Sequence, residues 1–391
     1  MSPTSLVPPA PNESAVTDHL SHTDSAQSVE CSAVDAAPLE TAPLDAAPLD
    51  VAPLDAAPSQ LVAETLVAPQ LTIEDRVRAS RASSVRVVGE NNPALTTMYE
   101  SYSPRQLRWD NIDWPVVGWL VLMHAGAIAA PFFFTWTALG VFLVMHWLTG
   151  SIGICLAYHR CLSHRSLRLR QPFRFLCTLC GVLSGEGSPL FWTATHRLHH
   201  QRSDHEGDPH SPFDGQWWSH IAWLFVRRSP EAKAMVMRRY VPDLIKDPML
   251  QFFERYYGLI LIGSGAFFFG IGYLAGGLDW YTGLSVMLWG LCLRMTLVYH
   301  GTWFVNSATH LWGYRNYDTR DASKNLWWVA IFAYGEGWHN NHHAHPNVAP
   351  AGHKWWEFDI TWWSIKALRA IGMAYDIDDR IPQNRSAAEG C

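Results

Sequence analysis

Two stretches of the chain are almost wholly apolar. From Pro115 to Tyr158 no Asp, Glu, Lys or Arg occurs, His124 and His146 are the only histidines, and a break falls near Pro131. A second stretch runs from about Tyr257 to Trp303 and is interrupted by the turn-like GGLDW, residues 276–280. At about 20 residues per crossing of a hydrocarbon core roughly 30 Å thick, each stretch predicts a hairpin of two transmembrane helices. A helix pair buried inside a soluble domain is excluded by the length and by the scarcity of charge. The fold class expected is an all-α integral membrane protein with four transmembrane helices in two hairpins and a helical cap.

Outside the spans the chain divides by composition. Prolines at 38, 43, 48, 53 and 58 form a five-residue repeat built on APLD. With few large apolar groups to offset ordering entropy, residues 1–75 are expected to be a disordered, mildly acidic tail. The opening MSPTSLVPPAP has no basic n-region or apolar h-region, so it does not read as a signal peptide, and the acidic residues of the tail argue against a transit peptide. Residues 76–112 read as a basic juxtamembrane segment, with six arginines between Arg76 and Arg108. Residues 113–378 make the membrane domain and 379–391 a C-terminal tail. The segment from Arg160 to Arg255 holds fourteen Lys or Arg, whereas the tight turns inside the hairpins hold none. By the positive-inside rule the middle segment, the cap and both termini are cytoplasmic.

Composition narrows the function. The chain is 48% hydrophobic and carries 20 tryptophans, a usage suited to a membrane interface, and its net charge of −6 excludes the basic, aromatic-interleaved surface of a nucleic-acid binder. The cysteines are scattered, and Cys177 and Cys180 form a lone CxxC in an apolar stretch, which reads as packing rather than a disulfide or zinc framework.

The histidines are not scattered. GEGWHNNHH places His339, His342 and His343 at i, i+3 and i+4, and THRLHH places His196, His199 and His200 at the same offsets. On an α-helix these offsets rotate by about 300° and 400°, so each triplet projects from one face within a turn. His159 and His164 lie where the second span leaves the membrane; five residues apart, they would diverge by about 140° on a regular helix, so the helix is expected to end between them. His310 follows the fourth span, with Asn306 one turn earlier on the same face. Four chain segments thus bring nine imidazoles to the cytoplasmic ends of the bundle. Neutral imidazole suits transition metals, and nine nitrogens suit two ions with four or five ligands each, a dimetal site with coordination positions left open. Glu336, Asp204, Glu206 and Asp208 are near enough to fix the ring tautomers.

HRCLSH, HRLHH, NSATH and EGWHNNHH, in this order around two membrane hairpins, resemble the histidine boxes of the membrane fatty-acyl desaturases, over about residues 115–376. The resemblance implies two iron ions, use of O2, and His159, His164, His196, His199, His200, His310, His339, His342 and His343 as the ligands, with Asn306 matching a residue that holds a metal-bound water. Within the family the flanks SDHEGDPHSPFDGQWWSH and KWWEFDITWW are similar to delta-9 members. The animal acyl-CoA type carries Arg and Asp before the second box, where this chain has Ala194 and Thr195, which tilts the expected substrate toward an acyl-lipid. Trp192, Thr302 and Trp303 match substrate-tunnel positions, as does Glu186, where relatives carry Gln.

Saturated methylenes give acid–base or nucleophilic chemistry no handle, so a metal-based oxidant is required. No HPGG haem motif, ferredoxin-like cysteine set or glycine-rich nucleotide fingerprint occurs, so electrons are expected from a separate ferredoxin or cytochrome b5-type donor, with Arg227, Arg228, Arg238 and Arg239 as a candidate docking patch. The competing readings are a membrane fatty-acyl hydroxylase or ketolase with a similar diiron site, a zinc-dependent membrane hydrolase, and a non-enzymatic metal carrier. The flanking motifs favour desaturation.

Overall fold

The computed structural model describes residues 72–84 and 93–381. The expected tail, up to residue 71, and the end of the C-terminal segment beyond 381 lie outside the described residues. Four helices among those described are long and apolar enough to cross a membrane: Trp114–Phe132, Trp136–Ser163, Pro248–Ala275 and Trp280–Leu311. Each opens on a capped residue. Asp113, Thr135, Asp247 and Asp279 accept from backbone N–H groups of the first turn that have no partner within the helix. The lone acid of GGLDW is therefore a helix cap. The third span begins at Pro248, upstream of where apolarity alone starts it, because the Asp247–Pro248 pair supplies both a cap and a first-turn proline.

The outward faces of the spans are apolar: Val121, Ile128, Leu259 and Ile262 are all more than 60% exposed, at 63%, 73%, 68% and 70%. Trp136 and Trp280, at the hairpin turns, are 79% and 71% exposed, and Trp109, just before the first span, is 78% exposed. Apolar surface of this extent with tryptophan at the ends of the spans suits lipid.

The second span changes pitch midway. From Leu148 to Ser163 it is a π-helix, with backbone bonds reaching back five residues, as from His164 N to His159 O at 3.1 Å. In that geometry residue i+5 returns almost above residue i. The helix ends at Ser163, with His164 as its cap, so it stops between the two histidines as their spacing suggested, but it does so as a π-helix rather than an α-helix. It widens, and the two rings meet with centroids 4.8 Å apart. Gly153 makes this packing possible, since a Cβ there would run into the Cys180–Gly181 backbone of the Phe173–Ser184 helix.

At the end of the bundle opposite the hairpin turns, helices Pro189–Arg202, Trp327–Phe332, His339–Ala344 and Ile360–Ala370 build the cap. The antiparallel pair Arg168–Leu169 with Ala374–Tyr375 is its sheet. Arg160 ties the cap to the second span. Its buried guanidinium donates to Asp359 at 3.0 and 3.1 Å, to Glu336 at 2.9 Å and to Ala349 O at 2.8 Å. Gly335, at φ 115°, lies against the Asp359 carboxylate with no room for a Cβ. Removing one partner of such a pair leaves a buried charge uncompensated, at a cost of about 3–5 kcal/mol. Replacing Asp359 by Asn is therefore expected to lower the melting temperature of the detergent-solubilised protein well beyond the effect of an exposed substitution such as Asp110→Asn, a comparison read by thermal unfolding of the two variants side by side.

Candidate metal centre

The nine predicted histidines converge and divide into two groups. His159, His164, His196, His200 and His342 form one; His199, His310, His339 and His343 form the other, and within each the ring nitrogens lie within 4.8 Å of one another. The i, i+3, i+4 spacing explains the division. On Pro189–Arg202 the pair His196 and His200 serves the first group while His199 serves the second; on His339–Ala344 the pair His339 and His343 serves the second while His342 crosses to the first.

Carboxylates set the ring orientations. His310 Nδ1 lies 2.8 Å from Asp204, His199 Nδ1 2.9 Å from Asp208, His343 Nδ1 2.8 Å from Asp321 and His159 Nδ1 2.7 Å from Glu336. An ionised carboxylate can only accept, so at His199, His310 and His343 the Nδ1 carries the proton and the Nε2 presents a lone pair to the interior, while His159 makes a close contact to Glu336 without hydrogen-bond geometry. Asp204, Asp208 and Glu336 are three of the four acids anticipated from sequence; the fourth, Glu206, is exposed and takes no part. Asp321 was not anticipated, because it lies in the loop beyond the Arg294–Leu311 helix and no motif marks it.

The inward lone pairs crowd. Nε2 atoms approach at 2.8 Å between His164 and His196, 2.9 Å between His200 and His342, and 3.0 Å between His159 and His342. Extra protons do not relieve this, since burial, reinforced by the neighbouring rings, holds His164, His196, His200 and His342 well below the ordinary imidazole value. In the second group His310 Nε2 and both ring nitrogens of His339 are buried without a hydrogen-bond partner. Converging imidazoles with bare nitrogens fit one transition-metal ion in each group.

Two further sets of residues hold the site and were not anticipated. Asn340 and Asn341, lying between the histidines of WHNNHH, donate their backbone N–H groups to Asn325 Oδ1 at 3.0 and 3.3 Å, and the Asn341 side chain donates to Glu357 at 2.7 Å. These bonds fix the short helix by its other face. His210 packs against His199, with centroids 4.4 Å apart, and its Nδ1 has no hydrogen-bond partner.

Beside the imidazoles lie two cavities that share Trp192, His196, Thr302 and Asn306. The outer one, about 590 Å³, opens between the first and third spans and is also lined by Trp303. The inner one is narrow and runs past His159, His199 and His339 to His146, Phe332 and Tyr334. Where they join, Glu186 accepts from Thr302 Oγ1 at 2.7 Å and from Trp192 Nε1 at 3.2 Å, and Trp192 stacks on His196 with centroids 5.1 Å apart. Burial pushes the Glu186 carboxyl up to about 7 against the pull of these two donors. The candidate docking arginines do not form one patch: Arg228 is buried over the Tyr102 ring, donates to Trp223 O at 3.0 Å and faces the outer cavity.

The fold and site define a multi-pass membrane protein whose imidazole clusters border two adjoining apolar cavities. A family model for fatty acid desaturases matches residues 134–376. The sn-2 palmitoyl-lipid 9-desaturase of Nostoc sp. (strain 36) is 43% identical over 74% of this chain and 98% of its own length. The sn-1 stearoyl-lipid 9-desaturase of Anabaena variabilis is 41% identical over 68% and 94%, and the icosanoyl-CoA 5-desaturase of Limnanthes douglasii 36% identical over 69% and 73%. The chain belongs to the fatty acid desaturase family, and is an oxidoreductase that desaturates acyl chains.

Loss of a ring nitrogen and loss of its orienting carboxylate have separable effects. His199→Ala is expected to lower bound metal and abolish activity while membrane insertion persists, whereas Asp321→Asn weakens metal retention about 10–100-fold, as such orienting partners do elsewhere. Metal analysis of the purified variants across a chelator series checks both.

Proposed function

We propose that this chain introduces a cis double bond at the delta-9 position of a saturated acyl chain esterified to a membrane lipid, using O2 and electrons from an external donor. The observation that carries the reading is the pair of adjoining apolar cavities beside both imidazole groups, which share Trp192, His196, Thr302 and Asn306. His159, His164, His196, His200 and His342 would hold one iron ion and His199, His310, His339 and His343 the other; the pair would supply the oxidising power that unactivated methylenes require.

Every other demand falls on the residues of the chain. Adjacent methylenes are chemically alike, so position is enforced by depth of insertion and product geometry by the bend. Trp192, Thr302 and Glu186 form the bend, Trp303 lines the approach, and the inner cavity takes the methyl end. The Asn306 carboxamide, bordering both cavities near His310, holds a water at the second group. The names of the Nostoc and Anabaena relatives, together with Ala194 and Thr195 where the acyl-CoA type carries Arg and Asp, support a glycerolipid carrier over CoA. The fourteen Lys and Arg from Arg160 to Arg255 support a cytoplasmic histidine end and cytoplasmic termini, where a ferredoxin or cytochrome b5-type donor docks.

The test is expression in a host lacking its own desaturase, together with a ferredoxin system, followed by double-bond location in separated lipid and acyl-CoA pools. Delta-9 monoenes first in glycerolipids are the expected result; first appearance in acyl-CoA overturns the carrier, and hydroxylated chains move the protein to the hydroxylase reading. The same assay addresses Glu186. An ionised carboxylate in an apolar channel disfavours the acyl chain, so activity is expected to fall as pH rises through about 7. In Glu186→Gln, which cannot ionise, that fall disappears from the pH–rate profile.

A further inference from the structure

The helix Phe173–Ser184 is too short to cross a membrane and stops inside the bundle. It ends at Gly185, with φ 82°, and the chain turns through Glu186 and Gly187, with φ 132°, before the Pro189–Arg202 helix starts. This is irregular backbone packed against the middle of the fourth span, where every exposed carbonyl would cost several kcal/mol in hydrocarbon. Two of its carbonyls and one N–H are met by tyrosines from neighbouring helices. Tyr299 Oη donates to Gly185 O at 3.3 Å, Tyr158 Oη donates to Gly187 O at 3.3 Å, and Tyr257 Oη accepts from Gly187 N at 2.9 Å. The last turn of the helix is met by a charge: Arg294 Nη1 donates to Leu183 O, and its Nε donates to Gly290 O at 2.9 Å.

Arg294 is fully buried, about halfway along the Trp280–Leu311 span. No carboxylate pairs with it among the described residues; its guanidinium faces the Phe268 ring at 5.9 Å, and its Nη2 has no hydrogen-bond partner. A cation at such depth is costly. What it meets there is the carbonyl end of a helix, where the backbone dipoles concentrate negative charge. Three residues beyond Leu183 stands Glu186, the hinge of the channel.

We propose that Arg294 is a positioning residue for the desaturation reaction: by anchoring the end of Phe173–Ser184 it sets the depth of the Gly185–Glu186–Gly187 corner, and so which carbons of the acyl chain lie beside the metal centre. The inference rests on the acyl-channel reading above. It touches neither substrate nor ligand directly, and acts through the corner. Its signature is therefore positional error rather than a simple loss of rate.

The experiment measures double-bond position, by mass spectrometry of derivatised fatty acids, in the desaturase-deficient host expressing full-length wild type, Arg294→Lys, Arg294→Gln and Tyr299→Phe, with metal content measured on each purified protein. The expected result is a wild-type double bond at one position, largely kept in Arg294→Lys. In Arg294→Gln the ratio of that position to its neighbours falls about tenfold or more, on the scale that small misplacements of reacting atoms produce, while bound metal is unchanged. Tyr299→Phe, which removes one donor to the same corner and keeps the ring, moves the ratio in the same direction by less, and decides the matter if Arg294→Gln does not accumulate. An unchanged positional ratio in the accumulating variants overturns the proposal; absence of desaturation in the wild type overturns the channel reading instead.

Discussion

The site depends on a buried carboxylate facing the Nδ1 of an imidazole. Repeated at His199, His310 and His343, it fixes which nitrogen carries the proton and turns the other inward. The carboxylates are themselves held: Asp204 accepts the Ala322 N–H at 2.8 Å, Asp208 accepts the His210 N–H at 3.1 Å, and Glu336 accepts from Arg160. His159 and Arg160, adjacent in sequence, grip the two oxygens of one side chain. The centre is thus preorganised by hydrogen bonds that reach from the second and fourth spans to the cap loops.

Much of this was legible in the sequence, for identifiable reasons. Hydrocarbon thickness is a coarse constraint and four spans satisfy it plainly; the two i, i+3, i+4 triplets encode their own geometry, even to the division between two groups. What could not be read depended on contacts between distant segments. Nothing local marks Asp321 as the partner of His343, or Asp359 as the partner of Arg160, because loop residues are brought to their partners only by the folded cap. The helix end between His159 and His164 was legible from their spacing, whereas the wider pitch that precedes it was not, because nothing local marks a π-helix.

The channel draws on the same economy of polar groups. In a bundle bordered by lipid, the Gly185–Glu186–Gly187 corner is the point where backbone leaves regular structure, and it persists because tyrosines and an arginine from three spans satisfy it. The place where an acyl chain would turn is therefore the place where the protein backbone turns, and Trp192 links that corner to His196 by direct stacking.

The π-helix Leu148–Ser163 also governs how this gene can vary. Its packing tolerates exchange of one apolar residue for another of similar size, since ring placement follows from backbone pitch. Its length is another matter. Deleting a single codon there would let the segment relax toward an ordinary α-helix and rotate all that precedes the deletion by about 100° relative to His159 and His164. Along this segment, insertions and deletions should be purged far more strictly than substitutions, a constraint on the reading of the genome rather than on any one side chain.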